Sequence, residues 1–283
     1  MSRLQTSMAL AKASWRVLRD TTSLMVLPLL SFLATLVTIG LFVAGALVTG
    51  DRSGGTFHLS PVSWALGALG YIALACISVY FNAALVSAAN ERLSGGDPSI
   101  DSALAGANAH LPQILGWGII SGTVSMILRQ IQENSGILGR IVTAVAGIAW
   151  SLVTYLVLPI LVIEGVGVRQ ALTRSKDLFT RTWGERVMGN VGIGIIGLVG
   201  FLAAVPVVIV GAISGNAAVL VATIVVAALW IGVIACATSA MSVIFQTALY
   251  RYAALGEVPG GWDQATLTSA FPPRKQRTGL LGR

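Results

Sequence analysis

The sequence predicts an all-α polytopic membrane helix bundle, with six transmembrane helices and three amphipathic helices lying in the interface on one side. Three observations predict it. Of the 283 residues, 55% are hydrophobic and only 10% are charged, against about 25% charged in a soluble domain; only lipid accommodates so apolar a surface. The apolar residues gather into long runs, and a bilayer core of about 30 Å takes about 20 helical residues. The cations, finally, are distributed very unevenly between alternate connections.

Runs of sufficient length cover residues 22–48, 62–88, 137–163, 187–211 and 217–250. The stretch 113–128 is shorter, but its flanks are too apolar for a soluble loop, and it counts as the third of six spans. The first run imitates a signal peptide, with Ala44-Gly45-Ala46 as a small-residue cleavage site. It is far longer than the 7–15 residues of a signal h-region and follows about twenty polar and basic residues, so it reads as an uncleaved helix. The last run exceeds one bilayer and is expected to project beyond it, ending at Gly256 as a helix C-cap.

The net charge of +7 raises the question of nucleic acid. With the N-terminus inside, however, fifteen of the eighteen Lys and Arg fall on the inner face, leaving Arg52, Arg129 and Arg140 outside. This is the positive-inside asymmetry. The chain is therefore expected in the cell membrane as a multi-pass protein with both termini cytoplasmic and no nucleic-acid partner.

A helical stretch precedes each odd-numbered span. In residues 3–20, Leu4, Met8, Ala11, Trp15 and Leu18 recur at helical spacing opposite Lys12, Arg16 and Arg19. In 98–111, Asp97-Pro98 reads as an N-cap followed by Pro at the first helical position, ahead of the stripe Ile100, Leu104, Ala107 and Leu111. In 167–186, Val168, Leu172, Ser175, Phe179, Thr182 and Trp183 face away from Arg169, Arg174, Lys176, Asp177 and Arg181. A shared phrase links them: Ala9-Leu10 with Ala13, Ala103-Leu104 with Ala107, and Ala171-Leu172 with Ser175. The pattern implies three repeats of interfacial helix plus two-span hairpin in a single domain over 1–256. The stretch 257–283, with Pro272-Pro273-Arg274-Lys275, lacks periodicity and reads as a flexible tail.

Leu158-Pro159-Ile160-Leu161-Val162-Ile163-Glu164-Gly165-Val166-Gly167, Ala171-Leu172-Thr173-Arg174-Ser175 and Thr182-Trp183-Gly184-Glu185 together resemble an uncharacterised family of six-span prokaryotic membrane proteins. Phe81-Asn82-Ala83-Ala84-Leu85, Gly95-Gly96-Asp97-Pro98 and Ala248-Leu249-Tyr250-Arg251-Tyr252-Ala253 fit the same family. That family in turn distantly resembles the membrane domain of glycerophosphodiester phosphodiesterases. The resemblance implies a fold and a location and carries no catalytic residues; no stretch of this sequence reads as the soluble phosphodiesterase domain.

No constellation for catalysis stands out. His58 falls in the first outer loop and His110 near the inner start of the third span, so they share neither a metal nor a proton relay. Phosphate loops and His-Glu-x-x-His patterns are missing from the sequence, and no enzyme activity, cofactor or metal is expected. Cys76 and Cys236 sit inside apolar runs and behave as small hydrophobes. Three intramembrane polar side chains are candidates. Glu164 either binds a cation or proton at the inner mouth of a cavity or pairs with Arg169 or Arg174 at the interface, and the pairing has the greater weight. Asn82 and Gln246 either line a path or hydrogen-bond neighbouring helices for roughly 1 kcal/mol each. Of the 32 glycines, Gly118-x-x-x-Gly122 is a small-x-x-x-small packing pair, with hinge bending as the alternative. Pro28, Pro159 and Pro206 are expected to kink their spans.

On the inner face, Arg169, Arg174, Lys176, Arg181 and Arg186 form a cationic collar that would attract anionic lipid headgroups at roughly 1 kcal/mol per cation. The leading expectation is a non-enzymatic membrane protein that binds lipids or a cytoplasmic partner. The alternative is a transporter or flippase for a lipid or poorly polar solute.

Overall fold

The computed structural model describes residues 3–21, 23–50, 60–182 and 191–258. Among the described residues the chain forms α1 (Arg3–Asp20), α2 (Ser23–Thr49), α3 (Pro61–Leu93), α4 (Ile100–Ala109), α5 (Leu111–Asn134), α6 (Ile137–Thr154), α7 (Val157–Glu164), α8 (Val168–Thr182), α9 (Val191–Ile213) and α10 (Ala217–Tyr250), with no strand. Six helical units are long and apolar enough to cross a membrane: α2, α3, α5, α6 with α7, α9, and α10 with the π turn Arg251–Leu255 that continues it. The third span is longer than expected, running Leu111–Asn134 in place of 113–128, because Arg129, Gln130, Gln132 and Glu133 extend it as a polar, solvent-facing end.

Alternating direction brings the short helices α1, α4 and α8 to one end of the bundle, called here the collar end; the opposite end is the loop end. α2–α3 and α9–α10 are close antiparallel hairpins, α3 packs on both α5 and α10, and α6 touches chiefly α5 and α8. Gly118 and Gly122 explain how closely α5 lies on α3. A Cβ on Gly118 would fall 2.9 Å from the Cα of Cys76, and one on Gly122 would fall 2.8 Å from the Cβ of Ala75. This is the small-residue contact that lets backbones gain dispersion energy in lipid, where burial alone supplies no drive.

The three collar helices seat small side chains against the spans. Ala13, Ala103, Ala107, Ala171 and Ser175 are all buried, so the recurrent Ala-Leu phrase marks where each helix lies down on the bundle. Two expectations need correction. In α1 the buried face is Ala11, Ser14, Val17 and Leu18, while Trp15 is 47% exposed beside the cations, where an indole suits a membrane interface. In α4 the cap is Ser99, not Asp97. Its hydroxyl accepts from the Ser102 amide at 3.0 Å while the Ser102 hydroxyl accepts from the Ser99 amide, a reciprocal capping box. Ser102 also donates to Glu91 at 2.9 Å, which rewards the later start.

Pro28 and Pro206 lie inside α2 and α9, which continue through them. Only Pro159 coincides with an interruption. Proline cannot donate to the carbonyl four residues earlier and its ring crowds that carbonyl; here that residue is Tyr155, and α6 ends and α7 begins across Tyr155–Leu156. Gly165 then closes α7 in the left-handed conformation at φ 67°, and Gly256 closes the π turn at φ 70°, the terminus expected of the last span. His58, Trp183, Arg186 and residues 259–283 of the expected tail lie outside the described residues, as does the side chain of Arg181.

Candidate functional site

At the collar end the break in the fourth span is filled from elsewhere in the fold. The Ser175 hydroxyl of α8 donates to the Val153 carbonyl at 2.6 Å and accepts from the Leu156 amide at 3.2 Å. The Gln246 amide of α10 donates to the Tyr155 carbonyl, the group that Pro159 leaves without its helical donor. Non-helical backbone at membrane depth is tolerated only where protein supplies such partners. Gln246 therefore completes a helix joint.

Glu164 is similarly engaged. Its Oε1 accepts from Arg174 Nε of α8 at 2.6 Å and from the Tyr250 hydroxyl of α10 at 2.6 Å. The hydrogen bond to Glu164 raises Arg174 above the usual arginine value. One carboxylate thus ties α7, α8 and α10 together, and the cation it uses is Arg174, not Arg169. Just beyond it, Arg251 donates to Asn90 at 2.8 Å and to Ser94 at 2.6 Å, and also pairs with Glu257. That pair holds the first residue of the expected tail against the bundle.

Asn82 is placed differently. It lines a cleft of about 560 Å³ between α2, α3 and α10. Ser31 and Thr35 of α2, Ser78 of α3, and Cys236 and Ser239 of α10 share the wall with it, beside Phe32 and Phe81. No charged residue lines it. Toward the collar the cleft stops at Leu85, part of the buried core that includes Leu24, Leu27, Met241 and Ile244. Of the three intramembrane candidates, Asn82 is the one that lines this cleft.

Sequence reading missed the rest of this wall. The signal was there as spacing: Ser31/Thr35 and Ser78/Asn82 stand four apart, and Cys236/Ser239 three apart, so each pair falls on one helical face. What linear sequence does not carry is that the three faces meet.

The cations of α8 point the other way. Arg169 and Lys176 are exposed and have no ion pair among the described residues, whereas Arg174 is held by Glu164. At the loop end, a shallow hollow of about 510 Å³ lies between Arg129, Gln132, Glu133 and Arg140. Its Arg129–Glu133 pair is 70% and 58% exposed, so water screens it heavily. Among the described residues, no three His, Cys, Asp or Glu side chains cluster closely enough to hold a metal ion.

Residues 63–260 match the family of unknown function DUF6159. The chain belongs to this family. The match spans the helix joint, the Glu164 cluster and the α3 and α10 walls of the cleft, while its α2 wall lies ahead of the matched residues. It brings no tie to glycerophosphodiester phosphodiesterases and no assigned activity. No curated protein and no solved structure matches the chain.

Proposed function

We propose that this family member is a non-enzymatic lipid-binding protein of the cell membrane, with both termini cytoplasmic, that gathers anionic headgroups around its collar. The observation that carries the reading is the division of labour on α8. Arg174 is spent on anchoring the helix through Glu164, which leaves Arg169 and Lys176 exposed on a helix that is fixed in place. A fixed helix presenting free cations at headgroup depth holds anionic lipid with little further loss of conformational freedom. On α1, Lys12 and Arg19 are exposed in the same manner beside Trp15.

Lipid retention by the purified protein tests this. At about 1 kcal/mol per cation, the Arg169→Gln/Lys176→Gln double variant should lose on the order of 30-fold in affinity for phosphatidylglycerol, read by native mass spectrometry of protein titrated with that lipid in detergent. Unchanged retention sinks the headgroup role.

The second reading, a transporter or flippase, draws on the cleft at Asn82. It needs a path from there to Glu164 and Gln246, yet both are committed to hydrogen bonds and Leu85 ends the cleft short of them. This supports binding over passage. Protein-dependent lipid scrambling in reconstituted vesicles would reverse the preference.

A further inference from the structure

The cleft between α2, α3 and α10 combines three properties that together select a ligand. The first is depth. Asn82 stands eleven residues from Leu93, the collar end of α3, or about 16 Å along the helix axis at 1.5 Å per residue. Neither α2 nor α10 carries a charged residue anywhere along its length, so on the reading of these helices as spans the cleft faces hydrocarbon. The second is the state of its polar groups. Ser31, Thr35, Ser78, Asn82 and Ser239 have no hydrogen-bond partner among the described residues. Hydroxyls elsewhere in the spans, such as those of Thr38, Thr143, Ser151, Thr154, Thr238 and Thr247, bond to the carbonyl one turn earlier. The third is the absence of charge from the lining.

Unpaired hydroxyl and amide groups are costly in hydrocarbon, so the wall favours an occupant that brings hydrogen-bonding oxygens to this depth. An ionic headgroup would find no countercharge there and would be strongly opposed. Ser78, Ser239 and Phe32 are exposed, so the cleft opens sideways toward lipid, and its volume falls within the range of small-molecule sites.

We infer that this cleft binds an uncharged lipid, one whose ester or hydroxyl oxygens meet Asn82 and the surrounding hydroxyls while its chains fill the apolar part of the wall. The site is separate from the cationic collar, so Arg169 and Lys176 variants leave it intact, and cleft variants leave headgroup retention intact.

The experiment uses the full chain in phosphatidylcholine vesicles with a diacylglycerol carrying a photoactivatable diazirine on one acyl chain, and in parallel with phosphatidylglycerol carrying the same group. The diacylglycerol probe should label peptides of α2, α3 and α10 around Asn82, with excess dioleoylglycerol competing and excess dioleoylphosphatidylglycerol not. Asn82→Leu should cut that labelling at least fivefold, and Ser239→Trp, which fills the cleft, should abolish it. Thr35→Val, nearly isosteric, should give an intermediate loss and serves should either larger change impair folding. Three outcomes overturn the inference. They are equal cleft labelling by both probes, which would make the occupant an ordinary phospholipid chain; labelling spread over the apolar surface and insensitive to Thr35→Val; and a cleft shielded from both probes by a second copy of the chain.

Discussion

The two halves of this bundle are built differently. At the collar end Leu18, Leu24, Leu85, Ile160, Leu161, Phe245 and Tyr250 are essentially inaccessible. There, side chains from different helices satisfy one another: Ser175 and Gln246 at the helix joint, Tyr250 and Arg174 on Glu164, Arg251 on Asn90. Toward the loop end, Val48, Val62, Ile137, Leu138 and Ile213 are more than half exposed, and cohesion is largely within hairpins. Thr49 meets Ser63 at 3.0 Å, and Trp230 donates to the Gly200 carbonyl at 2.9 Å. The collar half specifies how the helices assemble; the other half chiefly provides apolar length. Because side chains facing lipid gain nothing by burial against one another, the fold concentrates its specific contacts where polar groups are available to make them.

The largest expected effect compares one truncation in each half. Leu161→Ala should cost about 2 kcal/mol in detergent unfolding, the low end for a buried Leu because lipid or detergent rather than water receives the lost contact area. Leu138→Ala, at a side chain 80% exposed, should stay within about 0.5 kcal/mol. Equal losses would break the comparison. Next, Gln246→Leu removes the side-chain donor to the Tyr155 carbonyl beside Pro159, and should destabilise by about 1 kcal/mol. Hydrogen exchange should show faster opening at Leu156 and Val157 than at Ala146 or Gly147. The smallest effect belongs to Glu164→Gln. A neutral amide still accepts from Tyr250 while the ion pair with the half-exposed Arg174 is lost, so a shift of at most about 1 kcal/mol is expected. Proteolysis of α8 should rise more than global stability falls; a proportionate change would mean that Glu164 serves the whole core and not the seat of α8.

Much of the fold could be read from sequence because single-helix properties dictate it. Span existence follows from run length, and the three collar helices follow from their periodic faces. The small-residue phrase by itself marks only a repeat; that Ala107, Ala171 and Ser175 are buried seats emerges from the structure. Reading failed where the outcome depends on a competition or a distant partner. Asp97 and Ser99 both qualify as caps, and Ser99 prevails because Ser102 can return its bond and reach Glu91. Pro159 announced a disturbance, but its position at Tyr155–Leu156 was fixed by Gln246, ninety-one residues away. For the cleft, Asn82 stood out as an amide in an apolar run, while its companions are ordinary hydroxyls until three helices converge.

The joint between α6 and α7 also bears on how the protein lives in bilayers of unequal thickness. An unbroken fourth span would transmit any change of tilt straight into Ile160 and Leu161. Here the backbone ladder is interrupted, and side-chain bonds from Ser175 and Gln246 bridge the gap. Tilting a helix to match a thinner or thicker membrane costs only fractions of a kcal/mol per Å. With the ladder interrupted at Tyr155–Leu156, the fourth span has a place to bend under such an adjustment, and α8, which packs on both α6 and α7, follows it on either side.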